Sequence, residues 1–134
     1  MSAALPDEIR PVMENGVPVV IATCAADGVP NVSIVSEVYY VDPETIALSF
    51  QFFSKTIKNV RENPQTSIIL NDIQGGRRWI LGARYDHSET DGPIFDAMDM
   101  QIEAIASATG MSGIFKLRSA DLYKVSSVEI IRNA

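Results

Sequence analysis

Short runs of β-branched and aromatic residues, each closed by a turn signal, recur along this chain and restrict it to a fold of short antiparallel strands. Val17 to Ala25 ends in Ala26-Asp27-Gly28, and Asn31 to Val41 ends at Asp42-Pro43, so the pair reads as a hairpin. Thr45 to Phe53, Thr66 to Asn71, Arg77 to His87 and Leu122 to Ile131 complete the set, with Gln74-Gly75-Gly76 as a further turn. Three helices punctuate the strands. Residues 6–14 predict a short one, with Pro6 early, Gly16 as its stop and Pro11 against it. Lys55 to Asn63 predicts a second, halted near Pro64. A third opens at Asp91-Gly92-Pro93, carries Ile94, Met98, Ile102, Ile105 and Ala106 at helical spacing, and closes at Gly110. Met98 and Met100 read as packing residues rather than a cofactor box. The expected fold is mainly β: six short antiparallel strands with two or three helices in one domain over 1–134, closed or partly closed so that few edges stay exposed.

The 134 residues suffice for a single core, and 46% hydrophobic with 21% charged is an ordinary soluble composition. No apolar run approaches the roughly 20 residues of a membrane span. The first residues, Met-Ser-Ala-Ala-Leu-Pro-Asp-Glu, lack a basic region followed by an apolar stretch, so the expectation is no secretory signal and a cytoplasmic location. One cysteine, Cys24, excludes an internal disulfide, and one histidine, His87, leaves a zinc site without its usual ligands.

A net charge of −6 argues against nucleic-acid binding, which needs clustered cations. The cations are nevertheless concentrated: Lys55, Lys58, Arg61, Arg77, Arg78 and Arg84 face only Glu62 and Asp72 between residues 51 and 84. Such a local positive field suits a small anionic ligand, and equally a solvated helix face beside a basic loop.

The block from Ser49 to Pro64 carries the most chemistry. It reads as a strand that turns directly into a helix, with Ser54, Lys55 and Thr56 at the turn. A helix N-terminus offers unpaired N–H groups and partial positive charge, and two hydroxyls with an ammonium there suit a phosphate. A simple N-cap at Ser54 with Lys55 solvated is the other reading. Along the strand, Ile46, Leu48, Phe50 and Phe52 point one way, to the core; Ala47, Ser49, Gln51 and Phe53 point the other, making a small, polar face fit for a flat ligand or for solvent. No nucleophile–base set, no nucleotide-triphosphate loop and no dinucleotide fingerprint occurs, so redox chemistry here requires a bound cofactor.

The order of elements resembles the FMN-binding split barrels related to pyridoxamine 5′-phosphate oxidase. The resemblance rests on Val19-Val20-Ile21-Ala22-Thr23 through Gly28-Val29-Pro30-Asn31-Val32-Ser33, on the block Ser49 to Pro64, on Trp79 to Tyr85 and on Tyr123-Lys124-Val125. It implies a six-stranded split β-barrel working as a homodimer with FMN at the subunit interface and a small molecule as substrate. Carried over position by position, it implies that Asn31, Val32 and Ser33 line the flavin from strand two. Ser49, Phe50 and Gln51 would face the ring or ribityl chain. Ser54, Lys55 and Thr56 would hold the phosphate with Asn59 close by, and Arg78 or Arg84 would reach the phosphate or substrate. The oxidase itself has an arginine and a lysine on strand two, where this chain has Asn31 and Ser36, and a C-terminal segment for its vitamin substrate that Ile131-Arg132-Asn133-Ala134 does not match. The resemblance therefore carries flavin binding rather than vitamin oxidation. A second reading is a non-catalytic module of the same fold that binds flavin, haem or a deazaflavin for sensing or storage, with His87 the one histidine open to a haem.

Overall fold

The computed structural model describes residues 4–14, 19–35, 37–50, 54–108, 110 and 117–132. The element order is α1 (Ile9–Glu14), β1 (Val19–Cys24), β2 (Pro30–Val35), β3 (Val38–Asp42), β4 (Thr45–Phe50), α2 (Ser54–Glu62), β5 (Gln65–Asp72), β6 (Arg77–Glu89), α3 (Pro93–Ala108) and β7 (Ser119–Arg132). All strands join one antiparallel seven-stranded sheet in the order β2-β1-β5-β6-β7-β4-β3. The mainly-β antiparallel expectation holds, with three helices. The count of six strands is corrected to seven, because the run 31–41 is two strands. It breaks at residues 36–37, and its halves lie at opposite edges of the sheet.

That break fixes the shape. Six inter-strand spacings of ~4.8 Å would put the edges of a flat sheet ~29 Å apart. Three residues from Val35 to Val38 span at most ~11 Å. The sheet must therefore curl until β2 and β3 meet at one corner, which leaves a barrel split along the rest of that seam. Two irregularities in the β6–β7 pairing, at Gly82/Ala83 and Tyr85/His87, help these long strands to bend. Gly82 permits the close approach, since a Cβ there would meet Ser127 Oγ at 2.3 Å.

Local chemistry explains the turns. Asp27 accepts from the Val29 amide at 3.1 Å and Gly28 takes φ +90°, so the β1–β2 hairpin closes where the turn signal lies. Asp42 accepts from the Glu44 amide at 2.8 Å at the β3–β4 turn. Helix α1 is shorter than 6–14 but contains Pro11, whose missing N–H falls among donors that have no partner in a first turn anyway. The expected stop at Gly16 lies outside the described residues.

The barrel interior holds Ile21, Ile46, Leu48, Ile68, Leu70, Trp79, Leu81 and Tyr123, capped by Ile9, Val12 and Met13 of α1 and by Ile57 and Val60 of α2. Outside the barrel, α3 lays Met98 and Ile102 near Ala47, Ala120 and Leu122, and these form a second cluster with Leu117; Ala106 is buried on the same helix. Met98 is thus packing, and Met100 is exposed. Strand β4 is buried on both faces, Ile46 and Leu48 inward and Ala47 under α3. The small polar face of this strand is accordingly covered by a helix at Ala47, because alanine lets the helical stripe approach closely.

We expect Leu81→Ala, at the centre of the inner cluster, to lose about 2–5 kcal/mol of stability in urea unfolding. Ile73→Ala, at a side chain 88% exposed, should stay within about 0.5 kcal/mol of the parent.

Candidate functional site

Helix α2 crosses the inner face of the β1–β2 hairpin, and polar residues meet there. Strand alternation turns Asn31 and Ser33 of β2 toward the helix. Ser33 Oγ lies 2.8 Å from Thr56 Oγ1 in the first turn of α2. The Asn31 amide nitrogen donates to Ser33 Oγ at 3.3 Å and to Thr56 Oγ1 at 3.5 Å. One turn further along, the Asn59 amide donates to Thr23 Oγ1 of β1 at 3.1 Å, and both residues are buried. Lys55 is exposed beside this cluster, and Lys58 and Arg61 follow at three-residue spacing on the exposed side of α2. The first turn of a nine-residue helix leaves backbone N–H groups unpaired at this point.

The structure thus brings together Asn31, Ser33 and Thr56, with Asn59 alongside and Lys55 adjacent in the chain. Ser54 opens α2 at the same place. Val32 points away, 66% exposed on the outer face of β2, where Ile34 (61%) is exposed as well; Val29, just before the strand, is 51% exposed. Ser49 and Phe50 end β4, paired in register with Ala120 and Ser119; Ser49 is buried, and its amide donates to the Glu37 carbonyl at 3.3 Å. Gln51, with Phe52, Phe53 and Ser36, lies outside the described residues. The two arginines are far from each other. Arg78 Nε donates to Asn71 at 2.9 Å near the β5–β6 turn, whereas Arg84 is exposed in register with Gln65 and Lys124, six residues or ~20 Å along the strand.

Two buried acids escaped the sequence reading. Asp121 of β7 accepts from Ser88 Oγ at 2.7 Å and Ser119 Oγ at 2.8 Å, and Ser88 also bonds Tyr85 OH at 2.6 Å. Burial pushes its carboxyl above the usual range, against the pull of Ser88, Ser119 and the Arg61 charge. Glu37, in the corner between β2 and β3, is 1% exposed, and neither carboxyl oxygen has a hydrogen-bond partner among the described residues. Burial raises it, the Gln101 amide opposes and the Asp99 charge raises it again, to about 8. A signal for Glu37 was present in the sequence: one acid between Val35 and Val38 interrupts an apolar run. Because the folded protein holds this proton more tightly, the stabilising contribution is complete below the unfolded value near 4.5 and is lost as pH rises through about 8.

The Asn59–Thr23 bond should be measurable as structure. In a double-mutant cycle of Asn59→Ala and Thr23→Val, we expect a coupling of about 0.5–1.5 kcal/mol in unfolding free energy. Full additivity of the two single changes would show that the bond adds nothing.

Comparison with known proteins supplies the family. The profile of the family described as Pyridoxamine 5′-phosphate oxidase matches residues 5–127. An uncharacterised protein of Methanocaldococcus jannaschii is 36% identical over 66 residues, which are 48% of this chain and 44% of that protein, so the match spans less than half of the relative's length. Among solved structures, an FMN-binding protein from Syntrophomonas wolfei superposes with a TM-score of 0.71 at 14% identity, covering 95% of this chain and 90% of that one. The haem storage protein HutZ of Vibrio cholerae gives 0.62 at 21% identity, covering 96% and 94%. At such identities these likenesses establish the split-barrel fold alone. A profile match running from the start of α1 well into β7, on a curled antiparallel sheet with α2 laid across its first hairpin, means that this chain belongs to the pyridoxamine 5′-phosphate oxidase family.

Proposed function

We propose that this protein is an FMN-binding flavoprotein and a flavin-dependent oxidoreductase of a small molecule, with the FMN phosphate held at the first turn of α2. The observation that carries this reading is the Asn31–Ser33–Thr56 cluster at that turn. Its groups are hydroxyls and an amide, with backbone N–H donors and the Lys55 ammonium beside them. That donor set fits a phosphate dianion, and it contains no carboxylate that would repel one. Ser54 and Asn59 flank the cluster on the same helix. Ser49, Phe50 and Gln51 lead into the helix and are assigned to the ring or ribityl chain. Bound FMN would supply the electron transfer; the chain's own residues bind and orient it.

A homodimer in the cytoplasm completes the proposal. The outer face of β2, with Val32 and Ile34 exposed on an edge strand, suits a second copy of the chain. Arg78 and Arg84, exposed and away from the cluster of their own chain, are then assigned to the partner's flavin or substrate.

The second reading, a binding module without turnover, draws support from the same cluster, whose hydroxyls and amides orient a ligand rather than transfer protons. A haem held by histidine fits less well than FMN. Both ring nitrogens of His87 contact carboxylates, Asp86 at 2.5 Å and Glu89 at 2.8 Å. Glu89, then Asp86, also hold the ring toward its protonated form, which cannot ligate iron.

Titration with FMN at micromolar concentration, followed by flavin absorbance and fluorescence quenching, should reveal a complex; no spectral change would reject the reading. Reduction of that complex by NADH or NADPH distinguishes an oxidoreductase from a storage module. Lys55→Ala should weaken FMN roughly tenfold or more while leaving riboflavin, which lacks the phosphate, within about twofold. Equal weakening of both would remove Lys55 from the phosphate site. Sedimentation should give a dimer for the parent and a shift toward monomer for Val32→Asp; a parent monomer would overturn the dimer assignment.

A further inference from the structure

Glu37 occupies an unusual position. It is buried between β2 and β3, which lie at opposite edges of the sheet, and its backbone is fixed there because its carbonyl accepts from the Ser49 amide. The side chain lies near α3, where the Gln101 amide and the Asp99 charge both act on it. Gln101 itself donates to the carbonyl of Val38, the residue after Glu37, at 3.2 Å.

Helix α3 is built as a separable part. It is bounded by Gly92 at φ +96° and Gly110 at φ +74°, conformations that glycine adopts without strain and that allow the chain to pivot. Its apolar residues belong to the small outer cluster with Ala47, Ala120 and Leu122, and none belongs to the barrel interior. Displacing α3 therefore leaves the inner core intact.

We propose that α3 is a movable cover over the outer face of β4 and that the Glu37 carboxyl is its latch, permitting the helix to seat when protonated and releasing it when ionised. An ionised carboxyl that is buried, has only the Gln101 amide to favour its charge and meets the like charge of Asp99 is costly. The barrel holds the corner itself in place, so the least disruptive relief is for α3 to lift and admit water. Among the described residues, none that acts on Glu37 carries an offsetting charge. From α3 come Gln101, which is neutral, and Asp99, which has the same sign, and β4 brings Ser49, whose amide bonds the Glu37 carbonyl. Opening would expose Ala47, Ala120 and Leu122 of the outer cluster in a pH-dependent way. The device does not require flavin, and its failure would leave the FMN reading untouched.

Hydrogen exchange of the ligand-free protein from pH 6 to pH 9, with protection factors corrected for intrinsic rates, tests this. Protection over residues 93–108 should fall roughly tenfold or more across that range, while β5 and β6 keep theirs. Glu37→Gln should abolish the fall. Asp99→Asn, a change at an exposed side chain, should make the fall level off at lower pH, which keeps the test decisive if Glu37→Gln does not fold. Constant protection of α3 in the parent, an unchanged profile in Asp99→Asn, or loss in α3 together with β5 and β6 would each overturn the proposal.

Discussion

The two-residue link between β2 and β3 is the constraint on which the rest of this structure depends. Consecutive strands usually pair with each other, and here they are the two outermost strands of a seven-stranded sheet. Joining them forces the sheet to roll, and rolling creates an inside. The inside is what buries Trp79, Leu81 and Tyr123 on the long strands β6 and β7. It also leaves two ends to close, and α1 and α2 close them with Ile9, Val12 and Met13 in one case and Ile57 and Val60 in the other. The position of α2 over the first hairpin, and with it the polar cluster, follows from this closure.

The cost of polar groups in such a small barrel explains their arrangement. Thr23, Thr56 and Asn59 are buried, and each has a side-chain partner. Unpaired, each would cost about 1–3 kcal/mol. The same accounting separates the two buried acids. Asp121 accepts two hydroxyl hydrogen bonds and feels the Arg61 charge, so it is a satisfied member of a network with Tyr85, Ser88 and Ser119. Among the described residues Glu37 has no hydroxyl donor and no nearby cation, only the Gln101 amide, and its backbone is held at the corner by the Ser49 amide. A group left in that state at a fixed corner makes its surroundings sensitive to its charge, and the part of those surroundings free to move is α3.

Much of the fold is legible along the chain. The period-two alternation of Trp79, Leu81, Ala83 and Tyr85 against Arg78, Ile80, Gly82 and Arg84 matches the burial of β6 residue by residue, apart from the partial burial of Tyr85. The stripe Met98, Ile102 and Ala106 marks the buried face of α3. Where the reading failed, a long-range effect intervened. The run 31–41 looks continuous because β-branched and aromatic residues fill it on both sides of the break. Nothing local marks a change of sheet edge except one acid. The outer face of β4 reads as small and polar, yet whether a ligand, solvent or a helix covers it depends on where a segment fifty residues away lands. Part of the site was legible in the same uneven way. The family resemblance selected Asn31, Val32 and Ser33, and the helix start selected Thr56; of these Val32 points away from the cluster. Thr23 gave no signal, since its role comes entirely from the helix packed over it.

By itself, then, the sequence determined the elements: which residues lie in strands, which faces are apolar, and that a helix begins at Ser54-Lys55-Thr56. These are consequences of side-chain period and turn chemistry, which act over a few residues. The tertiary structure alone decided how the strands are ordered, that β2 and β3 meet at a corner joining the edges of the sheet, that hydroxyls from β2 and α2 meet at 2.8 Å, and that the Glu37 carboxyl lies buried with no hydrogen-bond partner for its oxygens among the described residues. Those outcomes depend on contacts between distant segments, and such contacts are set by the requirement that one curled sheet bury all its apolar faces at once.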